Sequence, residues 1–525
     1  MKYFWIIIIS LLPTLALFAP GLPITHDGPD HVARIANFYQ SLSEGNIVPR
    51  WAGNLNWGYG HPILMFLYPL PSYVASFFHA LGFTLVDSTK LVFGLSYIVS
   101  ILLFFIWSKA QWGSKAGFVG AMLYGFAPYR FVDLHVRGAI GEHVAFVFLP
   151  LIMYFLLKQK WIAVAFSWGA LILSHNAVAF MFLPVFALYA LYLLVFEAKN
   201  KQSFIAHCVL SIIFSFGFSA FFWIPAFFEG KYTLRDIVIK GEFTSRFVPW
   251  KDFFYSSWNF GGTDTLSKQL GLAHWAVVLL SVVVAIKNKK SRTFLIPTIL
   301  LLGASLVLMT SVSSVVWQNI TLIQKFQFPW RLLTMTTFVS AVLGSAVYSI
   351  IPRRWQWVLV ALSLLAVIWS VPMWKSKGYV HKPEVYYTQI YNSTTDTGES
   401  SPIWSTRFME YTAVRPLEVV DGEATVTQGT RTSTMHEYIL EVKKSTLMME
   451  NTVYFPGWNI HVDGVPADIQ FQNPDYRGRM LFRVTPENKN VRVVFENTKV
   501  RTFANMISLS SVVLLFNLFL WQKRK

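Results

Sequence analysis

Hydrophobic and polar positions alternate along this chain on a long scale: extended apolar blocks are separated by short polar segments. Leu91–Trp107, Ala177–Phe196, Phe204–Phe222, Leu295–Met309, Leu332–Ile350 and Val358–Met373 are clear blocks. Roughly 20 residues of helix cross about 30 Å of hydrocarbon. Blocks of this length predict a polytopic α-helical membrane protein with about twelve transmembrane helices. The first block, Tyr3–Pro20, has a short basic start, and the small residues Ala16 and Ala19 would fit a cleaved signal peptide. The polar residues after it need an anchor, so an uncleaved first span is expected.

Two stretches break this rhythm. Gly21 to Pro62 is polar, reading Thr25-His-Asp-Gly-Pro-Asp-His31, an amphipathic run to Ser43, Asn46-Ile-Val-Pro-Arg-Trp51 and Asn56-Trp-Gly-Tyr-Gly-His-Pro62. Pro29 suits the first turn of a helix, where its missing N–H costs nothing. His31, Arg34, Ile35 and Phe38 follow at helical spacing, which predicts a short helix lying on the membrane surface. Ile63–Leu81 is apolar but broken by Pro69 and Pro71, so it reads as a second surface or re-entrant helix and not as a span. From about Ser376 the pattern changes again. Tyr438-Ile-Leu-Glu-Val442 and Val491-Arg-Val-Val-Phe495 alternate as strands do, with turn signals at Asp421-Gly422 and Asp463-Gly464. A small β-sandwich is predicted over Glu418–Val500, followed by a last apolar helix, Phe503–Trp521. The expected organisation is a transmembrane domain over 1–374, whose outer loop 21–62 carries the surface helices. An extracytoplasmic β-rich domain over 375–502 follows, then a C-terminal transmembrane helix and basic cytoplasmic tail over 503–525.

Composition sharpens this reading. Hydrophobic residues make up 54% and charged residues 14%, against about 25% charged in soluble domains. The net charge of +17 is placed, not scattered. Lys109 with Lys115, Lys158 with Lys160, Lys199 with Lys201, the run Lys287–Arg292, Arg353 with Arg354, and Lys523–Lys525 all lie between or beyond apolar blocks. Taken with Lys2, these clusters occupy alternate loops, which by the positive-inside rule puts both termini in the cytoplasm. Basic charge spread over loops in this way argues against nucleic acid as a partner. The single cysteine, Cys208, lies within an apolar block and can form no intramolecular disulfide. No Walker loop, dinucleotide fingerprint or nucleophile elbow is present. No internal repeat of the kind found in inverted-repeat transporters stands out.

The candidate chemistry sits in the remaining loops. Asp27, Asp30, His31 and Arg34 cluster just after the first span. Carboxylates at such a boundary line a watery cavity or pair with something, and one of them could act as general base toward a sugar hydroxyl. The plainer alternative has Asp27 capping the surface helix while Asp30 and Arg34 pair along it. A second cluster comprises Arg130, Asp133, His135, Arg137, Glu142 and His143. Arginine forks match phosphate oxygens, and the alternative is a solvated loop with local ion pairs. His175 and Asn176 lie between two apolar helices. His31, His135, His143 and His175 with nearby carboxylates are a candidate set for a divalent cation (Mg or Mn), although no spacing matches a defined metal motif. Lys325 and Arg331 bracket Phe326-Gln-Phe-Pro-Trp330, where cations beside aromatics suit a lipid phosphate or simply snorkel.

His26-Asp-Gly-Pro-Asp-His31, Pro49-Arg-Trp51, Gly58-Tyr-Gly60, Arg137-Gly138 with Glu142, Ser174-His-Asn176 and Phe328-Pro-Trp-Arg331, in this order, resemble the pyruvoyl-tetrahydropterin synthase-related integral membrane family. Its members look like C-type (GT-C) glycosyltransferases, and the resemblance runs from Met1 to about Trp374. Thr395-Asp-Thr-Gly-Glu399 and Tyr454-Phe-Pro-Gly-Trp458 resemble the C-terminal portion of related bacterial membrane proteins. The resemblance implies a GT-C-like fold and an inverting transfer from a polyprenyl-phosphate sugar to a cell-envelope glycan, lipid or protein. It also implies an essential carboxylate in the first outer loop, with Asp27 the matching position and Asp30 second. Asp27, Asp30 and Glu142 are thus the expected catalytic residues. His31, Arg34, Arg137, His143, His175, Lys325 and Arg331 are expected to bind substrate. A non-enzymatic transporter or assembly factor for lipid-linked or envelope polysaccharide is the rival reading.

Overall fold

The computed structural model describes residues 2–262 and 265–524. Among the described residues, seven helices are long and apolar enough to cross a membrane: Leu85–Trp112, Ile140–Leu157, Lys201–Phe218, Lys289–Leu308, Pro329–Ile350, Arg353–Met373 and Lys499–Trp521. Lys2–Phe18, Trp161–Ser174, Leu183–Phe196 and Leu272–Lys287 are apolar but shorter. Against the expected count of about twelve spans, the described residues give seven helices of full length and these four shorter ones. Prolines mark some of the shortening. The first helix is α-helical over Lys2–Leu11 and then tightens into a 3₁₀ turn over Leu12–Phe18, with Pro13 at its start. The block Ala177–Phe196 divides into Asn176–Met181 and Leu183–Phe196, with Pro184 in the first turn of the second piece. A proline there costs no internal hydrogen bond, whereas in mid-helix it would.

Basic residues collect at the end of the bundle where the first helix begins. Lys2 lies within electrostatic reach of Lys109 and Lys115, and Lys109 Nζ donates to the Tyr3 hydroxyl at 3.1 Å. Asp27 follows the other end of that helix.

The predicted surface helix forms over Gly28–Ser43, with Pro29 in its first turn. Its apolar face, including Val32, Ile35, Ala36 and Phe38, is buried, and Phe38 meets Tyr73 edge-on at 4.7 Å. Tyr73 belongs to the helix Leu70–Ala80, which is separated from the turn Ile63–Phe66 by Leu67–Pro69. The second surface segment is thus broken, as its prolines require. The stretch from Tyr129 to Gly138, expected as an open loop, is instead helical: Pro128–Phe131 runs into one turn of wider π-helix, Val132–Arg137, which ends at Gly138 in the left-handed region.

The C-terminal region is a sandwich of two antiparallel sheets. Strands β1 (Leu22–Pro23) and β2 (Tyr379–Val380) pair with each other and tie the first loop to the start of this region. The sandwich itself is built from β3 (Leu417–Asp421), β4 (Ala424–Arg431), β5 (Met435–Val442), β6 (Thr446–Val453), β7 (Trp458–Val462), β8 (Val465–Pro466), β9 (Arg479–Val484) and β10 (Asn490–Phe495). One sheet has the order β4-β5-β10-β7-β8 and the other β3-β6-β9. Alternation does what it predicts: Tyr438, Leu440, Val491 and Val493 are buried, while Ile439 is exposed. The β7–β8 hairpin turns through Asp463 (φ 48°) and Gly464 (φ 82°), the double positive φ of a two-residue turn that matches strand twist.

Sandwich and membrane half share a core. Trp51 and Tyr59 of the first loop, with Met65 and Phe66 of the turn after it, pack with Phe455 and Trp458, and Trp51 meets Trp458 edge-on at 5.3 Å. Gly60, at φ 77°, must be glycine, since a Cβ would stand 2.5 Å from the Trp51 ring. Arg50 donates to Asn497 and Asn505, and Arg501 pairs with Glu229 at 2.8 Å. The last helix begins at Lys499, ahead of the predicted Phe503. Residues 391–401, expected within the β-rich domain, contact the first loop: Asn56 N donates to Ser393 O and Tyr391 N to Asn54 O, both at 2.8 Å.

Candidate active site

The site assembles beneath the sandwich, where the first loop meets the π-turn. His26 N donates to Val136 O and Asp27 N to Arg137 O, each at 3.0 Å. Gly138 permits this approach, because a side chain there would collide with Thr25. Asp27 occupies the cap position of the surface helix but gives it no side-chain hydrogen bond. Its backbone explains why: φ −110°, ψ 0° departs from the extended geometry that turns a cap oxygen back onto the first helical N–H groups. The capping alternative is thereby overturned. Among the described residues, the Asp27 carboxylate accepts no hydrogen bond.

Asp30 and Arg34 do not pair with each other either. Asp30 Oδ1 accepts from the Tyr391 hydroxyl at 3.4 Å, while Arg34 Nε donates to Thr395 Oγ1 at 2.9 Å. Burial raises the Asp30 pKa above the ordinary carboxylate value, with Arg34 partly opposing. His31, buried and 3.2 Å from an Arg34 nitrogen, has its pKa pushed well below the usual imidazole value by burial and by that cation. Nearby, burial would raise Asp396, but His61 and hydrogen bonds from Ser400 and Gly398 hold it below its ordinary value.

Behind this mouth lies a sealed ionic cluster. Arg137 Nη1 reaches the Tyr129 hydroxyl at 2.9 Å, Asp133 Oδ1 at 3.0 Å and Glu142 Oε2 at 2.6 Å. Tyr129 donates to Glu142 Oε1 at 2.7 Å, Thr334 donates to the same oxygen, and Arg331 Nε stands 3.6 Å from Oε2. His143 Nδ1 is 3.3 Å from Asp133 Oδ2. Glu142 and His143 are both fully enclosed. Both are packed against other charged groups, and Arg331 stands between Glu142 and the cleft described next. Arg130 is likewise enclosed, with its guanidinium 4.0 Å from the Phe146 ring centre and 5.1 Å from those of Tyr97 and Tyr124. This aromatic box leaves it no access to a phosphate. His135 is also completely buried.

An open cleft of about 290 Å³ adjoins the cluster, its polar lining being Tyr68, His175, Asn176, Arg235, Lys325, Gln327, Arg331 and Glu399. Of the expected substrate-binding residues, His175, Lys325 and Arg331 reach it. Arg331 is held there by a 2.9 Å bond from Nη1 to Phe326 O and by the Phe328 ring, 5.2 Å away. Arg137 stays behind, against the Trp330 ring at 4.8 Å. Tyr68 links cleft and mouth: it stacks on His175 at 4.8 Å, and burial pushes its hydroxyl up to about 12, with Arg34, Asp27, Arg331 and Arg137 close enough to act on it. Lys325, Arg331 and Arg235 against Glu399 leave the cleft cationic.

Among the described residues no group of three or more His, Cys, Asp or Glu side chains could hold a metal ion. His31 lies 3.2 Å from an Arg34 nitrogen, His143 Nδ1 lies 3.3 Å from Asp133, and His175 Nδ1 accepts from Val178 N, while His31 Nε2, His143 Nε2 and both nitrogens of the buried His135 have no partner among the described residues. Sequence reasoning missed Tyr68, Tyr391, Asp396 and Arg235. Asp396 carried a signal, since it lies within Thr395-Asp-Thr-Gly-Glu399; Tyr68 and Arg235 carried none.

No protein-family model matches the chain. It is 25% identical over 237 residues to an uncharacterized protein of Lactococcus lactis subsp. cremoris (strain MG1363), over 42% of this chain and 39% of that protein. The chain therefore matches about two fifths of this curated relative's length. Among solved structures it is similar to ArnT from Cupriavidus metallidurans bound to undecaprenyl phosphate, with a TM-score of 0.43 and 14% identity over 73% of this chain and 67% of that one. It is also similar to the mycobacterial arabinofuranosyltransferase AftD (0.41, 14%, 71% and 27%). An oligosaccharyltransferase from Archaeoglobus fulgidus in complex with zinc and sulfate gives 0.40 and 14% over 75% of this chain and 58% of that one. At these scores the likeness carries no functional argument, which the geometry of the site must supply.

Proposed function

We propose that the chain is a GT-C-like membrane glycosyltransferase, transferring a sugar from a polyprenyl-phosphate donor to a cell-envelope acceptor on the outer face of the cytoplasmic membrane. The observation that carries this reading is Asp27, a carboxylate free of hydrogen bonds among the described residues, one tyrosine away from a cationic cleft. Donor phosphate would lie against Arg331 and Lys325, with its lipid chain in the bilayer. The acceptor hydroxyl oxygen forms a bond to the anomeric carbon as the bond from that carbon to the phosphate oxygen breaks, with inversion. Asp27 takes the hydroxyl proton, and polyprenyl phosphate leaves with the bonding pair. Preorganised cations facing that developing charge supply the main electrostatic help. Glu142 and Arg137 act as positioning residues: they fix Arg331 and the backbone that carries Asp27.

The test is transfer in proteoliposomes, offering labelled polyprenyl-phosphate sugars and a crude envelope acceptor to wild type and to Asp27→Asn. Transfer by wild type alone supports the reading. Absence of transfer and of donor hydrolysis with every sugar, from protein shown to be folded, favours the transporter or assembly-factor reading.

A further inference from the structure

Tyr68 follows the turn Ile63–Phe66 and stands where the cleft meets the mouth. Its ring is fixed on two sides. One face stacks on His175, with ring centres 4.8 Å apart and planes 25° from parallel. The hydroxyl end of the ring rests on the helix Ile140–Leu157 at Gly141, where a Cβ would lie 2.2 Å from Tyr68 Cζ and 2.0 Å from Cε2. Glycine leaves the ring this place, and any side chain there would push it away.

A tyrosine held this firmly commonly gives its hydroxyl to a neighbour, as Tyr129 does to Glu142 at 2.7 Å. Tyr68 does not. Among the described residues its hydroxyl makes no hydrogen bond, nor is it one of the enclosed polar atoms left without a partner, so it opens onto accessible space. The charged groups that act on it come from both sides: Arg34 and Asp27 of the mouth, then Arg331 of the cleft, with Arg137 behind. Burial of the ring pushes the hydroxyl up to about 12, which keeps it a donor at neutral pH. A phosphate monoester loses its second proton near about pH 6, so it cannot hold a proton that Tyr68 gives up.

The cations of the cleft suit terminal phosphate oxygens, which are charged in donor and product alike. Contacts of that kind hold the donor without favouring the transition state over it. The oxygen bridging phosphorus and the anomeric carbon is different, because it gains charge only as its bond to carbon breaks. A hydrogen bond aimed there is stronger in the transition state than in the bound donor. We infer that Tyr68 is a further catalytic residue of the proposed transfer, its hydroxyl donating a hydrogen bond to the bridging oxygen as polyprenyl phosphate departs. The carbon–oxygen bond breaks, both electrons leave with the oxygen, and Tyr68 keeps its proton throughout. The acceptor's proton still goes to Asp27. This role rests on the glycosyltransferase reading.

The experiment measures kcat and donor KM in proteoliposomes for wild type and for Tyr68→Phe, a change that removes only the hydroxyl. Two donors are offered: the polyprenyl-phosphate sugar that wild type turns over fastest, and its analogue with sulfur at the bridging position, a weak hydrogen-bond acceptor. With the oxygen donor, kcat in Tyr68→Phe should fall about 10²-fold, the scale of one lost oxyanion donor, with KM little altered. With the sulfur donor the two proteins should differ little. The unfolding temperature in detergent should stay that of wild type, since the hydroxyl has no protein partner to lose. Full kcat on the oxygen donor overturns the inference. So does an equal loss on both donors, a rise in KM alone, or a lower unfolding temperature, each of which makes Tyr68 a structural or simple binding group. An active wild type matched by Tyr68→Phe removes this inference and leaves the glycosyltransferase reading standing, whereas a wild type that turns over no donor removes both.

Discussion

The mouth around Asp27 and the sealed cluster around Glu142 are built from the same residue types, a few residues from each other through Arg137, yet they are opposites. In the cluster every carboxylate is matched: Glu142 by Tyr129, Thr334, Arg137 and Arg331, and Asp133 by Arg137 and His143. Taking charges out of water costs several kcal/mol each unless they are paired in this way, so saturation is the condition for that cluster to exist. At the mouth, Asp27 accepts no hydrogen bond among the described residues, not even the helix cap bond open to it. A charge free to accept a proton has to stand where water or substrate can reach it, and cannot also be structural. Saturation thus separates the groups that hold the site from the one free to act in it.

Four perturbations break or sharpen this contrast. Asp27→Asn should lower transfer by about 10²–10⁴-fold, the usual worth of a general base, while the unfolding temperature stays that of wild type. Retained transfer in proteoliposomes would remove Asp27 from the chemistry. Glu142→Gln should do the reverse. Leaving Arg137 and Arg331 short of a counter-charge costs about 3–5 kcal/mol, visible as a lower unfolding temperature in detergent, and any loss of transfer follows from that. A Glu142→Gln protein of unchanged stability would erase the distinction. Lys325→Ala, at an exposed rim position, should raise the donor KM about tenfold, near 1.4 kcal/mol, with kcat little altered; an unchanged KM would place the phosphate elsewhere.

The smallest effect concerns pH. Asp30 has a raised pKa, chiefly through burial. In the window between the ordinary carboxylate value and that raised value, the folded state binds more protons than the unfolded one, so Asp30 lowers stability as pH rises. Asp396, held below its ordinary value, contributes stability above that value and loses it as pH falls through the folded pKa. Unfolding midpoints recorded across the acidic range should therefore rise with pH less steeply in Asp396→Asn than in wild type, and more steeply in Asp30→Asn. Parallel profiles in all three proteins would contradict both assignments.

The elements whose pattern is local were legible. Pro29 and the periodicity of His31, Arg34, Ile35 and Phe38 marked the surface helix Gly28–Ser43, and Asp463-Gly464 marked a hairpin that forms at that position. Spans were harder, because hydropathy records an apolar block but not the breaks at Ser219 or Phe182 that divide one into two helices. At the site, sequence order brought Asp27, His175, Lys325 and Arg331 into one list without saying which would share a cleft.

The sequence by itself determined that apolar helices carry the chain, that its polar chemistry lies between them, and that a β-sandwich closes the C-terminal half. These follow from composition and from the periods of 3.6 and 2, which are properties of neighbouring residues. Only the tertiary structure decided which charges are spent on one another. Asp133, Arg137 and Glu142 meet through a π-turn, Arg331 joins them from a distant helix, and Thr395 arrives from beyond the membrane half to hold Arg34. Whether a carboxylate is structural or free depends on partners far away in sequence, and that is why the free state of Asp27 could be read only once the chain had folded around it.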